Sequence, residues 1–154
     1  AGKLKNVSLR SGADFVGNSR STTYLDLEND GDLDVVVNNF HDAVNVLRNN
    51  LEGPDKHWIK LRLIGDPRQH TNRDAIGARI VVRDDAGLLV RREVQGGSGF
   101  LSMNPKQIHL GVGASKSVDI QIVWPNGQTQ QVLSLPVDQA HTIQQEHNPS
   151  TASR

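Results

Sequence analysis

Apolar residues in this chain arrive in short bursts that alternate with polar ones, and no stretch sustains a helical period. A side chain that points inward at every second residue requires extended backbone with one face buried. In His57-Trp58-Ile59-Lys60-Leu61-Arg62-Leu63 this puts Ile59, Leu61 and Leu63 on one face and Lys60 and Arg62 on the other. Arg79-Ile80-Val81-Val82-Arg83 repeats the pattern, with Ile80 inward and both arginines outward. Asp84-Asp85-Ala86-Gly87 supplies turn chemistry, and Leu88 to Val94 reads as the returning strand of a hairpin. Ser117 to Trp124 alternates again and runs into Pro125-Asn126-Gly127, a strong turn signal. Gln130 to Leu133 and His141 to Gln145 are two further short strand candidates, and the polar tail from His147 to Arg154 is expected to fray. Strand signals spaced about 8–12 residues apart point to an all-β protein, a sandwich or a barrel. Trp58 and Trp124 are expected to fill its core.

Composition narrows the chemistry. Seventeen Lys and Arg balance seventeen Asp and Glu over 154 residues, so the formal net charge is zero. A neutral chain carries no global field to attract nucleic acid or an anionic membrane. With no Cys, a disulfide framework, a Cys-ligated metal and a thiol nucleophile are all excluded. No run approaches the roughly 20 apolar residues that span a bilayer. No N-terminal stretch reads as a signal peptide, and Ala1-Gly2-Lys3 resembles a cut or engineered start.

Before about Asn50 the character differs. Asp26-Leu27-Glu28-Asn29-Asp30-Gly31-Asp32-Leu33-Asp34 places side-chain oxygens at loop positions one, three, five and nine, with Gly at six. Ca²⁺ takes six to eight oxygen ligands, and alternate inward-pointing residues around a Gly-permitted bend can supply them. Asp26, Glu28, Asp30 and Asp34 would give carboxylates, and the Asp32 carbonyl would fill position seven. Five acids in nine residues would otherwise repel one another. The loop is not an EF-hand: position twelve is Val37, and Thr22-Thr23-Tyr24-Leu25 and Val35-Val36-Val37 flank it as strands rather than helices. The alternative is a solvated acidic turn.

A calcium loop between strands resembles the FG-GAP repeat of integrin-α-like β-propellers. Asn72-Arg73-Asp74-Ala75-Ile76-Gly77-Ala78, Gly97-Ser98-Gly99-Phe100-Leu101-Ser102, His109-Leu110-Gly111-Val112-Gly113 and Val123-Trp124-Pro125-Asn126-Gly127 follow in the order of the ASPIC/UnbV domain, and His57-Trp58 sits where that family carries such a pair. The chain therefore resembles the end of cartilage-acidic-protein-like (CRTAC-type) or bacterial FG-GAP/ASPIC proteins. The resemblance implies a partial FG-GAP propeller blade with its calcium loop over residues 1–53, a β-sandwich or barrel-like ASPIC/UnbV domain over 54–148, and a flexible tail over 149–154. A single blade cannot close a propeller ring, so an orphan blade needs another surface over its edges. Self-association is expected on that ground.

Other candidates admit two readings each. Asn72, Arg73 and Asp74 either hold a turn or touch a ligand or partner. Ser98 lies in a Gly-rich connection that lacks the Lys and following helix of a phosphate loop, and His109 is either a strand residue or a site residue. Ser98, His109 and Asp74 would compose a hydrolase triad if folding brought them together. No two of the six histidines share a metal-binding spacing. Arg62, Arg79, Arg83, Arg91 and Arg92 form either a solvated face or a basic strip for acidic glycans or an acidic protein surface. The functional expectation is a non-enzymatic, extracellular, Ca²⁺-binding module for adhesion, surface binding or assembly. Its expected partners are an extracellular protein or glycan, or further copies of itself, with no nucleic acid and no membrane insertion. The alternatives are a self-assembling subunit of an oligomer or filament, and a hydrolase or carbohydrate-active enzyme.

Overall fold

The computed structural model describes residues 2–51, 53–84, 87 and 89–147. The turn residues Asp85 and Ala86, with Leu88, lie outside the described residues, as does the tail expected over 149–154. The described chain is all-β, apart from the single-turn helix α1 (Ser8–Ser11) and a 3-10 turn at Pro67–Gln69. It divides into two compact units, one of Ala1–Asn50 with Gly97–Asn104, the other of Leu51–Gly96 with Pro105–Arg154.

The first unit contains one antiparallel sheet in the order β1-β2-β3, formed by β1 (Ser19–Leu25), β2 (Asp34–Asn39) and β3 (Asn45–Leu47). Leu25 faces Asp34 in register, so the acidic segment is the connection of a hairpin. Val37 is the one hydrophobic residue buried in this unit among the described residues. Its remaining buried positions are polar. Asn39 accepts a bond from Ser19 Oγ at 3.0 Å and donates to the Ala43 carbonyl at 2.7 Å and to Asn45 Oδ1 at 2.6 Å, which ties β2 to the turn before β3. The segment Gly97–Asn104 lies along β1. The Asn104 side-chain oxygen accepts from the Tyr24 amide at 3.1 Å and from Thr23 Oγ1 at 3.1 Å.

The second unit contains two sheets. One has the order β10-β4-β7, from β4 (His57–Ile64), β7 (Ile108–Gly113) and β10 (Gln139–Gln144). The other has the order β6-β5-β8-β9, from β5 (Arg79–Asp84), β6 (Leu89–Glu93), β8 (Ser117–Val123) and β9 (Thr129–Pro136). Both contribute to one apolar cluster, with Ile59, Leu61 and Leu110 from the first sheet and Ile80, Ile120 and Ile122 from the second. This is a two-sheet arrangement with no closed barrel among the described residues. The alternation read from the sequence accounts for most of it, because each of these residues is separated from the next inward one by an outward neighbour. The turn at Pro125-Asn126-Gly127 closes the β8–β9 hairpin, with Gly127 at φ 88° donating to the Trp124 carbonyl at 2.8 Å. Trp124 is buried, and its indole N–H donates at 3.0 Å to the equally buried Gln130.

Three expectations are corrected. Lys60, expected outward with Arg62, is 5% exposed. It shares the non-core face of β4 with Trp58, and its ammonium lies 5.0 Å from that ring centroid, so the ring covers a cation that alternation alone would leave in water. Trp58, expected in the core, is half-buried outside the apolar cluster, because its position in the alternation is that of Lys60 rather than Ile59. The five arginines do not form one strip. Arg62 belongs to a different sheet, and Arg92 stands in register with the inward Ile80, on the opposite side of the pleat from Arg91.

Candidate functional site

The loop over residues 26–33 turns back on itself through its own carboxylates. Asp26 Oδ1 accepts the Asp30 amide at 3.2 Å and Oδ2 accepts the Gly31 amide at 2.8 Å. Asp30 Oδ1 accepts the Asp32 amide at 3.2 Å. Asn29 at φ 59° and Gly31 at φ 99° supply the left-handed backbone that so tight a bend needs, and Asn and Gly tolerate it best. Asp34, the first residue of β2, is fully buried. Its Oδ2 accepts the Leu27 amide at 3.0 Å and its Oδ1 the Asn49 amide at 2.8 Å. One carboxylate thus fastens the start of the loop and the strand end after β3. Glu28 points to Arg48, with 2.7 Å between Oε1 and Nε.

The donor set is all oxygen, as a hard cation requires. Asp34 accepts one backbone amide on each oxygen, and a carboxylate has about four acceptor sites, so coordination capacity is left on it. As the side chains stand, however, no three His, Cys, Asp or Glu groups converge as a metal-holding cluster among the described residues. Glu28, held by Arg48, accounts for one missing ligand at position three. The donor chemistry fits Ca²⁺, and the side-chain arrangement is that of a loop closed by its own amides.

The other singled-out residues fall into separate places. Asn72 closes a five-residue loop, donating to the Ile76 carbonyl at 2.8 Å and accepting the Ile76 amide at 2.8 Å. That ring lets Ala75 take φ 53° while fully buried. Gly65 packs beneath it, where a Cβ would stand 2.2 Å from the Asn72 carbonyl oxygen. Arg73 is exposed. Asp74 pairs with the Lys106 ammonium, which holds its carboxyl below the usual range. His109 stacks on Trp58 with 5.9 Å between centroids and 13° between planes. Ser98 belongs to the first unit, where its Oγ accepts the Asn104 amide at 3.1 Å, whereas Asp74 and His109 belong to the second.

Sequence reasoning missed Asn104 and Asp138. Asp138 accepts from His57 Nδ1 at 2.7 Å and from the Trp58 amide at 3.3 Å. It sits at φ 58° just before β10, an Asp in a turn with nothing local to mark its partner 81 residues away.

Residues 68–150, more than half of the chain, match the family described as ASPIC and UnbV. The chain belongs to that family. Among curated proteins it is similar to human cartilage acidic protein 1, with 27% identity over 114 residues that cover 72% of this chain and 16% of the human protein. The mouse protein of the same name is 27% identical over the same share of the chain. That of Xenopus tropicalis is 25% identical over 142 residues, 90% of this chain and 21% of the relative. The chain thus spans about a sixth to a fifth of the length of these relatives. No helix among the described residues is long and apolar enough to cross a membrane.

Proposed function

We propose that the chain is an extracellular, calcium-stabilised β module that acts in adhesion, surface binding or assembly, and that residues 1–53 represent a partial FG-GAP blade. The observation that carries this reading is Asp34. A fully buried carboxylate ends an all-oxygen loop inserted between two strands, and carboxylates are rarely buried without a task. Asp26, Asp30, Asp34 and the Asp32 carbonyl would hold the ion, joined by Glu28 once it leaves Arg48. The ion supplies charge neutralisation and nothing catalytic. Ca²⁺ that binds only the folded form adds about 2.7 kcal/mol at a hundredfold excess over Kd. A non-catalytic role is supported by the local work of Asp74, Ser98 and His109, each engaged in a pair, a turn or a stack. Calorimetric titration with CaCl₂ tests the reading. One binding event is expected that Asp26→Asn with Asp34→Asn abolishes. No heat, or heat unchanged in the double variant, overturns it.

Self-assembly is a second reading, favoured by the scarcity of buried apolar residues in the first unit. Phe40, Val44 and Val46 are each about half exposed there. The two sheet edges differ as well. β1 is partly blunted by Asn104, which takes the Tyr24 amide, while β3 has no such cover among the described residues. Sedimentation at rising concentration distinguishes the readings: a concentration-dependent oligomer supports assembly, and a strict monomer removes it.

A further inference from the structure

On β5 the residues Arg79, Val81 and Arg83 point away from the core that Ile80 and Val82 enter. Arg91 of β6 stands directly opposite Val81 and therefore shares this outer face. Successive outward residues on an antiparallel strand are about 6.8 Å apart, so the three arginines bracket Val81 at a spacing their side chains easily bridge. All three are exposed. Two shallow depressions meet at Val81. One, of about 440 Å³, lies between Arg79 and Arg91 over Val81 and Val123. The other, of about 220 Å³, lies between Arg83 and Leu133 over Val81 and Gln121.

Two acids share the face. Glu93 is in register with Arg79, and Asp119 with Arg83. Asp119 already accepts the Ser134 amide at 2.8 Å, and neither acid forms an ion pair with an arginine among the described residues. Arg91 has no acid opposite it, and Arg92 spends one guanidinium N–H on the Arg91 carbonyl at 2.9 Å. Arg79, Arg83 and Arg91 thus line the two depressions against two carboxylates, and none of the three forms an ion pair among the described residues.

We propose that this outer face of the β6-β5-β8-β9 sheet binds a sulfated polysaccharide. The claim deepens the surface-binding reading above by naming a ligand class, and it does not depend on the metal loop. Guanidinium forks match sulfate and carboxylate oxygens, and a row of them matches a polymer with repeated anionic groups better than a single ion. The half-buried Val81 and Val123 between the arms give the C–H faces of sugar rings an apolar floor. Base stacking would need aromatic residues, and none lines either depression, while the chain as a whole is neutral. A protein partner would want a deep apolar anchor pocket, and both depressions are shallow.

The test is surface plasmon resonance of the whole chain over immobilised heparin, with neutral dextran, poly-glutamate and single-stranded DNA as parallel surfaces, in Ca²⁺ and in EDTA. Heparin binding is expected in both buffers, weakening about tenfold or more between low and high salt, with no dextran binding. The triple variant Arg79→Thr, Arg83→Thr, Arg91→Thr keeps residues suited to strands, and it should bind heparin at least about tenfold more weakly. The triple Lys variant should recover most of the loss if charge along the face is what matters. An unchanged thermal transition in the Thr variant shows that folding is intact. Equal heparin binding by the Thr variant, or stronger arginine-dependent binding to poly-glutamate or DNA than to heparin, overturns the proposal. Failure here with the calcium titration intact rejects the glycan face alone, whereas loss of the calcium heat leaves this face standing.

Discussion

The two units solve the same problem with opposite materials. Around β4, β5 and β8, branched aliphatic side chains from two sheets close over one another, and Ile59, Ile80 and Ile122 are fully excluded from water. Around β1 and β2 there is one buried apolar side chain, and Asp34 and Asn39 occupy the interior positions instead. The second unit should therefore be sensitive to cavities and indifferent to ions. The first should be sensitive to charge, to hydrogen bonding and to a cation. Burial of a carboxylate is tolerated there because both its oxygens receive backbone amides, which replaces much of the lost hydration.

The largest expected effect is on the apolar side of this comparison. Ile120→Ala removes a side chain that is 1% exposed in the middle of β8 and should cost about 2–5 kcal/mol in chemical denaturation of the second unit. A cost below about 1 kcal/mol would mean that the cluster is loosely packed and that the contrast is overstated. On the polar side, Asp34→Asn keeps the shape of the side chain but aims an NH₂ group at one of the two amides. It should cost the first unit about 1–3 kcal/mol. Hydrogen exchange should rise at Leu27 and Asn49 and stay constant in β4 and β8.

The smallest effect lies in the second unit and is electrostatic. Asp66 accepts from Arg68 Nε at 3.0 Å and from the Arg68 amide at 3.0 Å, and this pairing holds its carboxyl at about 2. A lowered carboxyl stabilises the fold at pH values above its unfolded pKa, ordinarily 3.8, and that contribution is lost as pH falls from there through about 2. Arg68→Ala should raise the Asp66 midpoint toward the ordinary value in a carboxyl NMR titration. An unmoved midpoint would show that the amide bonds, not the guanidinium, set it.

Much of the second unit was legible because period-two patterns report directly which residues face a core. Alternation alone places Ile59, Leu61 and Ile80 inward, and all three are buried. Alternation is silent about partners. The parallel pairing of β10 with β4, where Ile143 meets Leu63, joins segments far apart in sequence and leaves no local trace. It also assigns faces without saying what covers them, which is why Lys60 and Trp58 were misplaced. In the first unit the strands flanking the acidic loop were readable, but β3 is three residues long and carries too short a pattern to register. The ASPIC/UnbV motifs at Asn72 and at Pro125-Asn126-Gly127 proved to be turn chemistry, an Asn-closed ring and a glycine-bent hairpin. The segment Gly97–Asn104 belongs to the first unit although the residues before and after it belong to the second, a placement that only three-dimensional contacts reveal.

The account rests on a cation acting on one unit and not the other, and hydrogen–deuterium exchange of the whole chain in saturating Ca²⁺ and in EDTA tests this most directly. It predicts that Ca²⁺ slows exchange across the loop of residues 26–34 and along β2, with β4, β5 and β8 unchanged. Identical exchange in both buffers over residues 26–39, or equal slowing in both units, would contradict it.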